Sequence, residues 1–369
     1  MRVLFWCPAF WPEIGGVQSF AAALLPALQE RGYQFAVVTG RSDDGNNAAD
    51  YKGIPIYRFP FHHLTSYKDI DRLMALRRHV LEVKRAFSAD LVHINSVDFS
   101  LFFHLTTVSP GTSSLVTLHG NWPTRDGTSN ALVEKLLGTA DWVVGCSEGV
   151  LEDGRQLVPG LKSRSSVVYN GLTLPAVKPT PLPVVQPRLL CLGRLSQEKR
   201  LDVAIHAFDS VVRRFPTVRL VIAGDGPERS ALEQLVLRLD LTDSVEFIGW
   251  VTPSRVPELM NTAMAVLMPS KHEGFPLVAL EAAFMGRPLI ATRVGGLSEV
   301  VQHEETGLLI DPGAAEGLAS AISCLLADPA RAIRLGQAAR RWAQNFSLDR
   351  CVNGYDALYR KLICKSNSL

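Results

Sequence analysis

The sequence offers little material for cross-links, membrane spans or a charged binding face. Its six cysteines (Cys7, Cys146, Cys191, Cys324, Cys351 and Cys364) are scattered, and no two form a Cys-x-x-Cys pair. That excludes a disulfide framework and a thiolate zinc centre; their mostly apolar settings predict buried thiols in a reducing compartment. No run reaches the roughly 18 apolar residues of a spanning helix. The opening segment, MRVLFWCPAFWPE, is apolar for only a few residues before Pro8 and has no small-residue cleavage site. It does not read as a signal peptide, so a cytoplasmic protein is expected, with any membrane contact peripheral. Charge of one sign is also lacking: the net formal charge is +2, with both signs dispersed. No nucleic-acid footprint follows from that balance. A sequence repeat of 20–50 residues is absent as well.

What is present is a globular composition, 47% hydrophobic and 20% charged. A chain of 369 residues exceeds one ordinary core and predicts two domains of about 150–200 residues each. Short apolar, β-branched runs alternate with stretches of helical period throughout. The first-half strand candidates are Arg2–Cys7, Phe35–Thr39, Leu91–Ile94, Leu115–Leu118, Trp142–Gly145 and Val167–Tyr169. Those of the second half are Leu189–Leu192, Val218–Ala223, Val245–Ile248, Met264–Met268 and Leu289–Ala291. Their apolarity is continuous, as in strands covered on both faces, which predicts doubly wound parallel α/β sheets. Between the halves, Pro175, Pro179, Pro181, Pro183 and Pro187 are too dense for a helix or central strand and read as a linker. Ligands of open α/β sheets bind outside the carboxyl ends of the strands, so two such lobes are expected to face one cleft.

Several strand-end loops are candidates for a phosphorylated ligand. Gly15-Gly16 precedes a helix opening near Val17, where backbone NH groups can approach an anion; a plain tight turn is the alternative. Gly193-Arg194 ends a strand, and Lys199 follows near the next helix start. Together they can neutralise a diphosphate, or form a solvated basic turn. Gly224-Asp225-Gly226-Pro227 reads as a structural turn. In Pro269–Ala282, Glu273 lies in a polar loop, Pro276 suits a first helical turn, and Glu281 follows Glu273 by eight positions. Free NH groups at that helix opening suit a phosphate or sugar hydroxyls. A carboxylate on an otherwise apolar helix face requires donors, which paired hydroxyls supply; a salt-bridged surface is the alternative.

In combination these residues resemble glycosyltransferase family 4, retaining enzymes of the GT-B fold, over nearly the whole chain. The resemblance rests on GG at 15–16, LHG at 118–120, ADWVVGCSE at 140–148, YNG at 169–171 and LGRLSQEK at 192–199. It continues through AGDGP at 223–227, FIGWV at 247–251, the E-x7-E of Glu273 and Glu281, and ATRVGGLSEVVQHEETGLLIDP at 291–312. It implies two Rossmann-like doubly wound domains facing a central cleft. Residues 1–172 would bind the acceptor, residues 186–348 the nucleotide sugar, with 173–185 as linker and the helix 349–369 packed back on the first domain.

Carried over by position, Arg194 and Lys199 hold the diphosphate and Gly16 offers it an NH. Glu281 binds the ribose hydroxyls. Glu273, Gly274, Phe275 and Leu277 contact the transferred sugar or its phosphate side, and Leu277 and Val278 donate NH groups. Trp250 and Val251 read the base through their backbone. His119 stands beside the sugar's reacting face, while Gly15, His93, Asn95 and Asn121 lie toward the acceptor. Catalytic roles therefore fall to His119, Arg194, Lys199 and Glu273.

The activity implied is metal-independent transfer, without a cofactor, from a nucleotide sugar to a hydroxyl of a glycan or lipid-linked acceptor. UDP is the preferred donor nucleotide, with GDP and ADP as alternatives. Two rivals of other kinds are a GT-B nucleotide-sugar epimerase or hydrolase, and a non-catalytic partner of another transferase. Arg200 stands where the family commonly has Gly, and Phe346-Ser347-Leu348 replaces the usual aromatic after Ser. Asp69-Ile70-Asp71 matches a metal-holding DxD but sits at a helix start, where acidic residues suit the dipole anyway. In helix 68–87, Leu73, Leu76, Val80, Val83 and Phe87 form one face. Arg77, Arg78, Lys84 and Arg85 form a basic flank that is either solvated or able to meet anionic lipid.

Overall fold

The apolar runs of the first half assemble into an eight-stranded sheet. In this computed structural model residues 1–13, 15–41, 49–61, 70–108, 111–120 and 128–366 are described. The chain divides into one unit made of Met1–Gly171 with Leu348–Leu369, and a second made of Leu172–Ser347. Strands of the first unit are β1 (Arg2–Trp6), β2 (Gln34–Gly40), β3 (Asp50–Tyr51), β4 (Ile54–Phe59), β5 (Leu91–Asn95), β6 (Ser113–Leu118), β7 (Trp142–Gly145) and β8 (Ser165–Val167). They lie in the order β3-β4-β2-β1-β5-β6-β7-β8, parallel except for the β3–β4 pair. Val3, Leu4, Phe5 and Trp6 are all buried, so β1 is covered on both faces. Hence its run is continuous rather than alternating.

The second unit holds β9 (Arg188–Leu192), β10 (Arg219–Ala223), β11 (Val245–Gly249), β12 (Ala265–Met268), β13 (Leu289–Thr292) and β14 (Gly307–Ile310). Their order is β11-β10-β9-β12-β13-β14, and every pairing is parallel. Both units are thus doubly wound α/β sheets.

Four strands depart from the expected set, β8 by position and β3, β4 and β14 by being unforeseen. β8 lies two residues before the anticipated Val167–Tyr169. The β3–β4 edge hairpin alternates buried and exposed residues and contains Pro55, which disguises a strand of the edge type. β14, only Gly307–Ile310, is too short for its period to stand out.

The proline-rich stretch read as a linker is held against the second unit. Asn261 accepts from Thr180 N at 3.0 Å through Oδ1 and donates through Nδ2 to Lys178 O at 2.9 Å. Arg287, buried to 1% exposure, donates to the carbonyls of Met285, Ala263 and Thr180. Those carbonyl partners satisfy a guanidinium that makes no ion pair among the described residues.

The final helix, Leu348–Ser366, packs on the first unit's sheet through its tyrosines. Tyr359 OH meets His93 Nδ1 at 2.6 Å, and Tyr355 OH meets Thr117 Oγ1 at 3.1 Å. Tyr33 OH donates to Asp356 Oδ1 at 2.7 Å.

The basic flank expected on helix 68–87 is smaller than its pattern implied. The described helix is Ile70–Phe87, and Lys84 is buried in its inner face with Leu76, Val80 and Val83. Its Nζ donates to His104 O at 3.3 Å and Thr107 O at 3.2 Å, and lies 5.3 Å from the Trp6 ring centroid. Burial lowers the Lys84 pKa to about 7. Arg77 donates twice to Thr106 O, leaving Arg78 and Arg85 exposed. Asp69 lies outside the described residues, and Asp71 is exposed. Among the described residues no three His, Cys, Asp or Glu side chains gather as a metal site, and no helix is long and apolar enough to cross a membrane.

Candidate active site

In an open parallel sheet the crevice forms where strand order reverses, outside the carboxyl ends. In the second unit that point lies between β9 and β12. The loop after β9 carries Arg194 and Lys199, and the loop after β12 carries Glu273, so topology brings the two candidate segments together. Lys199 Nζ donates to Glu273 Oε1 at 2.6 Å, and Ser270 Oγ donates to the same oxygen at 2.7 Å. The loops are also joined through the backbone, Lys271 N donating to Glu198 O at 2.7 Å. Ser196 Oγ donates to Glu198 Oε1 at 2.5 Å, and this hydroxyl, with Lys199 and Arg194 nearby, holds the Glu198 carboxyl below its ordinary range despite partial desolvation. Arg194 itself is exposed.

Glycines allow these loops to lie so close. A Cβ at Gly224 would meet Gly193 O at 1.8 Å, and one at Gly226 would meet Leu195 O at 2.4 Å. Leu195 N in turn donates to Asp225 O at 2.9 Å, so the Gly-Asp-Gly-Pro turn buttresses the loop of Arg194. Gly295 and Gly296 press on the Glu273 loop: their Cβ atoms would lie 2.0 Å from Glu273 O and 2.2 Å from Gly274 O. Phe275 is buried against the Phe346 ring, with centroids 5.4 Å apart, and anchors the loop from beneath.

Pro276 precedes helix Leu277–Phe284 as its cap residue and supplies no side-chain cap. The NH groups of Leu277 and Val278 lie ahead of the first intrahelical bond, whereas Ala279 N already donates to Pro276 O at 3.1 Å. About one turn on, Glu281 is half-buried and makes no side-chain hydrogen bond among the described residues. Its apolar surroundings raise the carboxyl pKa to about 7. At the end of β11, Gly249 O accepts from Gly224 N at 2.7 Å, leaving Trp250 exposed and Val251 half-buried beyond it.

The first unit reverses strand order at β1 and β5. There helix Gly16–Gln29 opens with Gly15 as its cap residue; Ser19 N donates to Gly15 O at 2.8 Å. A Cβ on Gly16 would meet nothing within 4 Å, so its backbone faces open space. His119 follows β6, and its Nε2 pairs with Asn95 Oδ1 at 2.8 Å. Burial lowers the His119 pKa to about 4, so the ring is neutral at neutral pH. With Nε2 as the donor to Asn95, Nδ1 carries a lone pair, and this buried atom has no partner among the described residues.

His93 does not reach outward as an acceptor contact. It is fully buried, with Nδ1 against Tyr359 OH and Nε2 2.8 Å from Thr117 Oγ1, and both ring nitrogens are satisfied inside the fold. Asn95 is likewise buried and serves His119. Asn121 lies outside the described residues. Sequence reasoning missed Ser270 and the pressing role of Gly295 and Gly296; the Ser270-to-Glu273 spacing of three was the available signal for the former.

With this geometry in place, comparison with known proteins is informative. The family described as Glycosyltransferase Family 4 matches residues 14–174, and Glycosyl transferases group 1 matches residues 177–342. The chain is 27% identical over 364 residues to N-acetyl-alpha-D-glucosaminyl L-malate synthase of Bacillus anthracis, covering 95% of this chain and 94% of that protein. It is 30% identical over 286 residues to a glycogen synthase of Mycobacterium tuberculosis, covering 72% and 67%. In fold it is similar to HepE of Anabaena, solved in complex with UDP, with a TM-score of 0.82, 22% identity and coverage of 98% and 100%.

Proposed function

The chain belongs to glycosyltransferase family 4, a GT-B glycosyltransferase, and from that membership we propose a retaining transfer from a UDP-sugar to a hydroxyl of a glycan or glycolipid. The observation that carries the reading is the junction of Lys199, Glu273 and Ser270 beside the free helix start at Leu277. One helix thus presents NH donors at its opening and, about one turn on, the carboxylate of Glu281, which has no hydrogen-bond partner among the described residues. A nucleoside diphosphate sugar needs both kinds of group. Glu281 accepts the paired ribose hydroxyls, while Arg194, Lys199 and the NH groups of Leu277 and Val278 take the diphosphate. The backbone beside Trp250 and Val251 meets the base, and HepE, bound to UDP, supports the choice of uracil.

In the reaction the bond from the anomeric carbon to the diphosphate breaks first, leaving an oxocarbenium-like ion paired with it. The acceptor hydroxyl attacks on the face the diphosphate leaves, and a phosphate oxygen takes its proton, so the configuration is retained. Charge grows on the leaving group, where fixed cations and NH dipoles are most effective. Glu273, with Gly274 and Phe275, shapes the sugar side, and His119 serves the reacting face. Two cations and helix dipoles meet the diphosphate charge, and we propose that neither a metal nor a cofactor takes part.

Calorimetric titration with UDP, GDP and ADP, followed by proton NMR of the product from the matching α-linked donor, tests this reading. UDP binding strongest of the three, with an α-linked product, is expected. A β-linked product, or free altered sugar formed without acceptor, overturns it.

A further inference from the structure

The first unit holds a cavity of about 540 Å³ at the end of its sheet opposite His119 and Asn95. Its lining includes Ser113 and Ser114, which begin β6, and Asp141, just before β7, so it opens at the amino-terminal ends of the strands. The size falls in the range of about 300–1,000 Å³ typical of small-molecule pockets. Leu4, Val92, Leu105 and Leu136 supply apolar wall.

Three basic side chains line the same space: Lys84, Arg85 and Lys135. Lys84 is buried, and its partners are the His104 and Thr107 carbonyls and His104 Nδ1, none of them a carboxylate. Arg85 and Lys135 are exposed at the rim and make no ion pair among the described residues. The one lining carboxylate, Asp141, is already engaged: its Oδ2 accepts from Ser114 N at 2.8 Å and Ser114 Oγ at 3.0 Å. Three of the lining hydroxyls are committed as well, Ser88 Oγ to Arg85 O at 2.7 Å, Ser113 Oγ to Leu362 O at 3.1 Å and Thr139 Oγ1 to Lys135 O at 2.9 Å. The uncommitted charge around an apolar hollow is therefore positive.

We propose that this cavity binds a small amphiphilic anion, a carboxylate or phosphate monoester on an alkyl body, separately from the transferase site. The alkyl part replaces water against Leu4, Val92, Leu105 and Leu136. The anionic head is met by Arg85 and Lys135 at the rim.

The test uses calorimetric titration of the full chain with three probes of equal chain length: sodium octanoate, octyl phosphate and 1-octanol. At least one of the two anions is expected to bind saturably below millimolar concentration, and the alcohol at least about tenfold more weakly. The anion that binds more tightly identifies the head group. Replacing the exposed pair, Arg85→Ser with Lys135→Ser, leaves the core untouched and should weaken that anion at least about fivefold. Ala89→Trp, on a half-buried lining residue, should fill the space and abolish binding while the melting temperature is kept. Absence of saturable binding by both anions, equal binding of 1-octanol, or unchanged affinity in the double variant overturns the proposal.

Discussion

Lys199 Nζ lies 2.6 Å from Glu273 Oε1, joining two loops that are 74 residues apart in sequence. The pair is not isolated, because Ser270 donates to the same carboxylate oxygen and Gly295 packs on the Glu273 carbonyl. A cation placed in this way is held at the loop proposed to bind the diphosphate before any donor arrives, which is the preorganisation that charge stabilisation requires.

Lys199→Ala and Arg194→Ala should each lower kcat by about 30- to 1,000-fold, the equivalent of about 2–4 kcal/mol in the barrier. The two differ in their structural side effect. Arg194 is exposed and makes no ion pair among the described residues, so its variant should keep the wild-type melting temperature. Lys199→Ala removes the partner of a largely buried carboxylate and should melt earlier. Steady-state rates with thermal denaturation on both variants check this; wild-type turnover in either one places the phosphate site elsewhere.

Much of this framework is legible from sequence because parallel strands buried on both faces give continuous apolar runs. Val3 to Trp6 and Val266 to Met268 are cases in point. The hidden parts depend on distant partners. His93 reads as a strand-end polar residue open to ligand until Tyr355 and Tyr359, more than 260 positions away, cover it. Lys84 reads as part of a basic flank, although its spacing of four from Val80 places it on the buried face. Glu273 and Glu281 stand out by spacing, but the contact of Lys199 with Glu273 arises only from the strand order that sets β9 beside β12.

Glu281 should make donor binding depend on pH. Its carboxyl pKa is raised to about 7 by burial, and ribose hydroxyls donate to the ionised form. Affinity for UDP-glucose should therefore rise between pH 6 and pH 8, by at most about tenfold. In Glu281→Gln the same profile should be flat and the affinity lower throughout. The contribution to fold stability runs the other way. Between the ordinary carboxylate pKa and 7 the folded state holds the proton that the unfolded chain has lost, so stability falls as pH rises through that window. Calorimetry at several pH values on both proteins checks the binding arm; a flat wild-type profile removes Glu281 from the ribose site.

His119 should separate chemistry from nucleotide binding. A residue engaged with the reacting sugar adds to the transition state rather than to ground-state nucleotide affinity. His119→Ala should keep UDP affinity within about threefold while kcat falls by about 100-fold. Because the ring pKa is held at about 4 by burial, the wild-type rate should show no break from this histidine between pH 5 and pH 9. A lowered melting temperature with kcat unchanged would assign His119 to packing alone.

Gly296 offers a test of loop position that leaves backbone strain aside. Its φ of −62° is available to any residue, so an alanine there meets no conformational penalty. The added Cβ would instead lie 2.2 Å from Gly274 O and 2.9 Å from Phe275 Cα. Something must shift, and the atoms in the way are backbone of the loop that positions Glu273. Gly296→Ala should cost about 1–3 kcal/mol of stability and lower turnover more than its melting temperature implies. Denaturant titration with kinetics on the same preparation decides it; full activity would show that the loop has room to move.

Arg200 gives the converse case, a side chain where the backbone favours none. It sits at φ +49° and ψ +44°, in the left-handed region, as the residue that leads into helix Leu201–Arg214. For most residues that conformation costs roughly 1–2 kcal/mol, whereas glycine adopts it freely. This explains why the resembling family commonly has Gly at the position. The compensation in this chain is local: Arg200 Nε and Nη2 donate to the Asp202 carboxylate at 3.0 and 3.1 Å. Both side chains are more than a third exposed, at 36% and 46%, so solvent screening leaves that pair a small net contribution. The backbone effect should therefore prevail. Arg200→Gly is expected to raise the melting temperature by a few degrees, and Arg200→Ala, which loses the ion pair and keeps the left-handed residue, to lower it slightly. If glycine melts no higher than alanine, the left-handed conformation is costing this chain nothing.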